Sequence, residues 1–303
     1  MKPSAELISR RNSLNRTARR FLVIALAFVL APIMALEWPV SGGFPLVPFG
    51  SFRSGRFSTA MTIEPARTPV TAVASGDIAF QYDGDKLPSG LPCTLGSFVA
   101  VHHPDGLISV YGHLDPGSMP AYIRSVETGG LLGRAGESGF RSSFESTFAL
   151  FDRVKRQYLN PQVLLPPVKD DRPPVVRSVY LIVGENTYAL GETRAIRQGT
   201  YEIQADIRDP LSSADTGYRA PYSVRLMIDG KERVRYIYNA AKAESGTMKF
   251  FGSAKSDCGS WFLANGNVRL GSYLFSHGRS TIVLAVSDYA GNEREITNTI
   301  TVE

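Results

Sequence analysis

Apolar and polar residues alternate in short runs along most of the chain, and glycine and proline separate the runs. TPVTAVASGDIAFQY has the pattern of two strands joined by a Ser-Gly-Asp turn, and SFVAVHHPDGLISVYGHL of two strands joined by a Pro-Asp-Gly turn. FESTFALFDRV follows as a further strand. The pattern predicts an antiparallel β-domain with little helix over residues 36–165.

Residues 166–174, PPVKDDRPP, have the composition of a semi-rigid proline-rich linker. Beyond them, residues 175–303 carry alternating strands with Asp-Gly and Ala-Gly-Asn turns, a pattern typical of an immunoglobulin-like β-sandwich. PLSSADTGYRAP and NAAKAESGTMKFFGSAKSDCGSWFLANG do not fit simple hairpins, so we expect loops there, the second with room for a short helix. The aromatic residues expected in the core or on strand faces of this half are Tyr201, Tyr222, Tyr236, Tyr238 and Trp261. The predicted fold class is all-β.

The composition fits two domains and argues against a nucleic-acid surface. The chain has 303 residues, of which 43% are hydrophobic and 20% charged, and its formal net charge is +5. Six basic residues and one acidic residue lie within positions 1–35, so this segment accounts for the whole excess. The remainder of the chain is neutral, and no nucleic-acid partner is predicted.

The first 35 residues have the pattern of a secretory signal. A basic segment precedes the apolar stretch FLVIALAFVLAPIMA, and small residues allow cleavage after Ala35. At about 15 residues the stretch is shorter than the roughly 20 that span a bilayer, so an uncleaved anchor is the alternative. We expect an exported protein of the periplasm or outer cell envelope, without a transmembrane helix after cleavage. Cys93 and Cys258 form either one inter-domain disulfide or two thiols.

Four segments of the N-terminal half come in an order that resembles one known family. They are WPVSGGF with FGSFRSGRF, then TPVTAVASGDI, then SFVAVHHPDGLISVYGHLDPGS, and then GRAGESG. They are similar to the entrance strand and turn, a hairpin, the strand pair ending in Tyr-Ala-His-Leu, and the glycine-rich approach to the last zinc ligand of the lysostaphin/LytM-type zinc endopeptidases. The resemblance covers about residues 38–165 and implies the duplicated-hybrid-motif fold of enzymes that cut cell-wall peptide bridges.

The resemblance also implies where the zinc site would lie. The family's first two ligands come as His-x-Gly-x-Asp, and here Ser58 and Thr62 stand at those positions. The third ligand and a catalytic histidine come as His-x-His, and here Glu145 and Thr147 stand there, with a shift of one or two positions left open. His113, in YGHL, keeps the family residue. Hydroxyls carry no charge and are poor zinc ligands, so we expect a vestigial groove of these five residues, with no catalytic residue, no metal and no cofactor.

A rebuilt zinc site is the alternative, formed by His113, Glu145 and either His102 or His103. The last two adjoin the Pro-Asp-Gly turn, where a solvated histidine is the usual case. His277, in LFSHGRS, is expected in a surface turn of the C-terminal half. No Gly-x-Ser-x-Gly elbow or phosphate-binding Gly-Lys-Ser loop occurs, which argues against a serine hydrolase and a nucleotide enzyme.

These observations predict a pseudoenzyme of a zinc endopeptidase family that is exported and followed by an immunoglobulin-like domain. Members of the resembled family that lack the metal act as binding modules, and some activate cell-wall amidases. The resemblance therefore implies a binding or regulatory role in the envelope, with peptidoglycan or a cell-wall hydrolase as partner. The alternatives are a structural or adhesive envelope protein and an active zinc endopeptidase with non-standard ligands.

Overall fold

The computed structural model describes residues 36–53, 56–64, 68–84, 93–121, 123–139, 146–210, 220–250, 261, 263 and 266–303. The predicted signal segment, Glu145 and Cys258 lie outside these residues. The described parts contain β-strands and one short 3-10 turn, Pro161–Val163, and no α-helix. None of the described segments is a helix long and apolar enough to cross a membrane. The prediction of an all-β chain is confirmed.

The strands of the N-terminal half are short, as glycine and proline interrupt the alternating pattern. Their bounds are β1 (Phe44–Val47), β2 (Phe52–Arg53), β3 (Arg56–Phe57), β4 (Met61–Glu64), β5 (Pro69–Thr71), β6 (Gly76–Tyr82), β7 (Ser97–His102), β8 (Leu107–Leu114), β9 (Ser125–Val126), β10 (Leu131–Arg134), β11 (Ser146–Asp152) and β12 (Gln157–Leu159).

The strands of the C-terminal half are longer and follow the linker directly. Their bounds are β13 (Val175–Val183), β14 (Asn186–Ala189), β15 (Ala195–Ile196), β16 (Gly199–Arg208), β17 (Ser223–Ile228), β18 (Lys231–Ile237), β19 (Ala240–Glu244), β20 (Thr247–Phe250), β21 (Val268–Phe275), β22 (Gly278–Ser287) and β23 (Glu293–Val302).

One ten-stranded sheet organises the N-terminal half. Its strands follow the order β20-β19-β12-β11-β8-β7-β6-β9, while β4 pairs with β11 and β1 pairs with β4. One face of this sheet covers a hydrophobic core that includes Met61, Val99, Tyr111, Phe148 and Leu150. Because side chains alternate along a strand, the residues between these core positions lie on the opposite face.

Two further sheets build the C-terminal half. A four-stranded sheet in the order β14-β13-β16-β21 and a five-stranded sheet in the order β15-β23-β22-β17-β18 share one hydrophobic core. That core takes Leu181 and Ile203 from the first sheet and Leu226 and Leu284 from the second. The assignment of this half to the immunoglobulin-like class stays a prediction.

The expected long loop at residues 239–266 begins as a hairpin instead. Strands β19 and β20 pair through a two-residue turn at Ser245 and Gly246, whose φ angles of 52° and 78° are both positive. Positive φ at both central residues defines the type I′ turn that favours tight hairpins. The prediction of a loop here was wrong because the Ser-Gly turn signal lies within a run of alanine and lysine, residues that are poor strand formers.

The β19–β20 hairpin extends the N-terminal sheet. Strand β12 pairs with β19 through Tyr158 opposite Ala241 and Leu159 opposite Ala240. Side chains from the N-terminal half, among them that of Phe49, also lie in the C-terminal core. The chain on either side of the predicted linker is therefore joined by backbone pairing as well as by side-chain packing.

Asn160 fastens this junction. It is fully buried; its backbone N–H donates to the Asn239 carbonyl at 2.9 Å, and its Nδ2 donates to the Tyr238 carbonyl and the Tyr289 hydroxyl, each at 2.6 Å. Its Oδ1 accepts from the Gln162 N–H at 3.0 Å and so caps the 3-10 turn. Every polar group of this buried amide side chain has a partner, as burial of an amide requires.

The predicted linker is held at its start and at its middle. Trp38 Nε1 donates to the Pro166 carbonyl at 2.9 Å, and Asn292 Nδ2 donates to the Asp170 carbonyl at 3.0 Å. Asn292 belongs to the Ala-Gly-Asn turn after β22, where the Asp288 carboxylate accepts its backbone N–H at 2.8 Å. Residues 166–174 are thus held against both halves of the chain, and we call this segment the strap. Its composition alone did not predict these contacts.

We predict that Asn160→Ala destabilises the protein by about 2–4 kcal/mol, because it leaves the Tyr238 carbonyl and the Tyr289 hydroxyl without their buried donor. Asn186→Ala, at an exposed position of β14, is the matched control and should change stability by no more than about 0.5 kcal/mol. Denaturant unfolding of the three proteins measures both values, and equal losses for the two variants would contradict this role of Asn160.

Candidate functional site

The sheet register brings together two of the residues predicted to form the groove. Thr62 of β4 lies directly opposite Thr147 of β11, and Thr147 lies opposite Gly112 of β8. Their neighbours Met61 and Phe148 are in the core, so both threonines lie on the opposite face. Directly opposed residues in an antiparallel pair have Cβ atoms about 4.5–5.5 Å apart. We call this side of the ten-stranded sheet the groove face.

His113 stands at the end of β8, next to Gly112, in a backbone conformation unusual for its type. Its φ is 60°, and 5% of the residue is exposed. Its N–H donates to the Leu95 carbonyl at 2.7 Å, and Nδ1 lies 2.8 Å from the Ser138 carbonyl oxygen. A carbonyl oxygen only accepts hydrogen bonds, so Nδ1 is the donor in this contact.

Glycines of the GRAGESG segment allow the chain to close on this histidine. The Gly136 N–H donates to the His113 carbonyl at 2.8 Å, and a Cβ at Gly136 would lie 2.6 Å from backbone atoms of Asp115. Gly139, with a φ of 81°, approaches the Gly96 nitrogen so closely that a Cβ would lie 2.5 Å from it. The segment supports the site through close backbone contact, which only glycine permits.

Ser58 lies at the rim of the site rather than within a strand. Its Oγ donates to the Ala60 carbonyl at 2.6 Å, and its backbone N–H donates to the Ser51 carbonyl at 2.9 Å. The structure thus shows Thr62, Thr147 and His113 on adjoining strands, with Ser58 beside the start of β4. Glu145 lies outside the described residues, and its part in the groove stays a prediction.

The groove face continues from the threonines as an apolar surface. Ala149 lies opposite Val110, and Val110 lies opposite Ala100, each half-buried. Beyond them, the Phe98 ring stacks on Phe80 and Tyr82 with centroid distances of 5.4 and 5.9 Å. Phe80 is 54% exposed. The surface beside the threonines suits apolar side chains better than charged ones.

The rim of the groove packs into the core of the C-terminal half. Phe49 and Phe57 meet edge-to-face at 5.7 Å, and both belong to or pack against the C-terminal cluster. A Cβ at Gly50, whose φ is 86°, would lie 2.5 Å from the Tyr238 ring. Sequence reasoning missed this contact, although the phenylalanines of FGSFRSGRF stood next to Ser58.

His103 is not the solvated hairpin histidine that the sequence led us to expect. It is 1% exposed; its Nδ1 donates to the Ser75 carbonyl at 2.8 Å, and its Nε2 accepts from the Ser109 hydroxyl at 2.8 Å. Both ring nitrogens are used within the fold, because the hairpin end folds back onto the Ser-Gly-Asp turn. His102 alternates with Ala100 and is half-buried on the groove face.

Tyr111 lies on the core side of the ten-stranded sheet, opposite the groove face. It is buried in the core, and its hydroxyl accepts the Val73 N–H at 2.9 Å. Burial raises the pKa of Tyr111 to about 12. The hydroxyl therefore stays protonated throughout the neutral range and acts as a structural partner, not as a base.

The predicted residues outside the groove lie as follows. Tyr201, Tyr236, Tyr238 and Trp261 are buried in the C-terminal core, which confirms their expected place. Tyr222 is half-buried and meets Tyr289 edge-to-face at 5.4 Å. His277 is exposed in the bend between β21 and β22, also as expected.

The three hydroxyl side chains at the groove do not suit zinc as ligands. Catalytic zinc sites use imidazole, carboxylate or thiolate ligands, whereas Ser58, Thr62 and Thr147 offer neutral hydroxyls. Among the described residues, the side chains of metal-binding type that lie close enough to share an ion are Asp170, Asp209 and Asp288, at the strap. That cluster is separate from the groove residues.

The N-terminal half is thus a β-domain built on an antiparallel sheet, with the groove face on one side and a packed core on the other. Residues 56–161 match the model of Peptidase family M23, and this part of the chain is a domain of that family. A separate family model matches residues 173–303.

Parts of the chain are similar to several known proteins. The chain is 31% identical over 134 residues to the cell division protein DipM of Caulobacter vibrioides. The aligned segment covers 43% of this chain and 20% of DipM. It thus spans about a fifth of the length of this curated relative. The lysostaphin catalytic domain of Staphylococcus simulans has 17% identity and a TM-score of 0.30, over 39% of this chain and 86% of that one. A chain of the SpoIIQ–SpoIIIAH complex has 18% identity and a TM-score of 0.36, over 44% and 92%.

We predict that His113→Gly is more stable than His113→Ala by about 1 kcal/mol. Both variants lose the hydrogen bond to Ser138, but alanine at a φ of 60° keeps the left-handed strain that glycine avoids. Denaturant unfolding of the two variants measures the difference, and equal stability would show that the backbone at this position relaxes.

We predict that the stability of the protein falls between pH 10 and 12. The pKa of Tyr111 is higher in the folded protein than its ordinary value of 10, so the unfolded chain loses this proton at a lower pH than the folded protein does. A rising pH therefore stabilises the unfolded chain relative to the folded protein. The contribution of Tyr111 to the free energy of unfolding is fully present below pH 10, and roughly 2 kcal/mol of it is lost by pH 12.

Tyr111→Phe should reduce this decline by roughly 2 kcal/mol, while Tyr180→Phe, at a half-buried position of β13, should leave it as in the parent protein. Unfolding free energies at several pH values from 9 to 12 make the comparison. An identical decline in Tyr111→Phe would assign the pH dependence to other groups.

Proposed function

We propose that this chain is an exported, catalytically inactive M23-type protein that acts as a binding or regulatory module of the cell envelope. The observation that carries the proposal is the pairing of Thr62 with Thr147 at the place where the family resemblance puts metal ligands. Neutral hydroxyls hold no zinc and activate no water, so the groove has no means of attacking a peptide bond.

The groove remains suited to binding an extended partner. Beyond the threonines, the half-buried row of Ala149, Val110 and Ala100 leads to the stacked rings at Phe98. Apolar surface gives binding energy when a partner covers it. The similarity of part of the chain to a cell division protein supports a partner in the envelope, either peptidoglycan or a cell-wall hydrolase.

The test is binding and activity of the purified protein. It should be retained on isolated peptidoglycan sacculi, or stimulate a cell-wall amidase of the same organism, without releasing soluble fragments itself when zinc is added. Ala100→Glu places a charge on the groove face and should weaken the effect at least about 10-fold, a loss of about 1.4 kcal/mol.

Val283→Glu, a half-buried outward position of β22, is the matched control and should bind as the parent protein does. If neither sacculi nor the amidase responds, the groove has no binding role and the structural or adhesive alternative holds. Zinc-dependent hydrolysis that disappears in His113→Ala would overturn the proposed inactivity.

A further inference from the structure

Two arginines stand side by side on the outer face of the five-stranded sheet. Arg225 of β17 lies directly opposite Arg235 of β18, and on its other side it lies opposite Ala285 of β22. The residues that alternate with Arg225 along β17 are buried in the core, so this row faces outward. Like charges directly opposed across strands are destabilising, so the pair needs compensating negative charge.

The protein supplies part of that charge on both flanks. Glu232 forms an ion pair with Arg235, and Glu293 of β23 lies 3.9 Å from Arg225, measured between Oε1 and Nη2. The latter distance is at the outer limit of an ion pair, and the two side chains are 34% and 57% exposed. An exposed pair of this kind contributes little stability, so it can open for a ligand at little cost.

Both arginines and Glu293 line a single open cavity. Arg225, Arg235, Ser223, Ala285 and Glu293 contribute to its walls, and its volume is about 410 Å³. Small-molecule pockets in proteins are about 300–1,000 Å³. The short side chain of Ala285 next to Arg225 leaves the space open between the arginines and the glutamate.

The balance of charge selects the kind of ligand. The charged residues of the wall are two arginines and one glutamate, so a simple anion would also meet Glu293, and a simple cation would meet both arginines. A ligand with both charges satisfies both sides. Arginine forks bind carboxylates in bidentate fashion, and a carboxylate on Glu293 accepts from an ammonium group.

We propose that this cavity binds the zwitterionic head group of an α-amino acid, with its carboxylate on Arg225 and Arg235 and its ammonium on Glu293. The head group belongs to a free amino acid or to a diamino acid of a wall peptide, whose chemistry is the same. The cavity lies on a different sheet from the groove face. A negative result for this site would therefore leave the proposed function unaffected, and the reverse also holds.

The test is calorimetric titration of the purified full chain with alanine, N-acetylalanine and alaninamide. Alanine should bind saturably in the millimolar range, which corresponds to about 4 kcal/mol, and the two blocked compounds, each lacking one charge, should bind at least about 10-fold more weakly. Equal binding of N-acetylalanine, or no saturable binding of alanine, would overturn the proposal.

Two variants and a control locate the site. Arg225→Gln and Glu293→Gln should each weaken alanine binding at least about 10-fold, while Arg279→Gln, an exposed arginine of β22, should bind as the parent protein does. Unchanged affinity in both cavity variants, with circular dichroism showing that they are folded, would place the binding elsewhere and overturn the assignment. Competition between alanine and soluble muropeptides then distinguishes a wall peptide from a free amino acid as the source.

Discussion

The pairing of β12 with β19 is the contact on which the arrangement of this molecule depends. It is short, yet it aligns the end of the N-terminal sheet with a hairpin that belongs to the C-terminal half of the chain. Asn160 follows β12 directly and is buried among carbonyl and hydroxyl partners that only this arrangement supplies. Separating the halves would break these hydrogen bonds and open the β12–β19 ladder. The two halves are therefore parts of one structure.

This junction also builds the rim of the groove. Phe49 and Phe57 belong to the N-terminal half of the chain but pack against the C-terminal core. Ser58 is the residue directly after Phe57. Because a side chain at Gly50 would overlap the Tyr238 ring, the contact tolerates no larger residue there. The position of Ser58 relative to Thr62 thus depends on residues nearly two hundred positions away in sequence. The C-terminal half shapes the groove even though it contributes none of the five predicted groove residues.

Local patterns predicted the strands well, because alternation and turn residues act over a few positions. The hairpin around the Pro-Asp-Gly turn, the last N-terminal strand with Thr147, and the buried tyrosines of the C-terminal half all follow from such patterns. His103 could not be predicted in the same way. Its burial depends on Ser75, 28 residues earlier, and on which face of β8 Ser109 occupies. The β19–β20 hairpin was missed for a similar reason, since its partner β12 lies far away and its own residues are weak strand formers.

The chemistry of the groove follows from what its two ends offer. At one end, paired threonine hydroxyls and a histidine fixed through Nδ1 can donate and accept hydrogen bonds but hold no strong charge. At the other end, Phe80 and Phe98 form an exposed aromatic surface. A metal site needs charged ligands held in a polar shell, and an apolar floor next to it would oppose the burial of uncompensated charge. In the proposed function, hydroxyls stand in place of charged ligands, which avoids that conflict and suits the face to binding a neutral, extended segment.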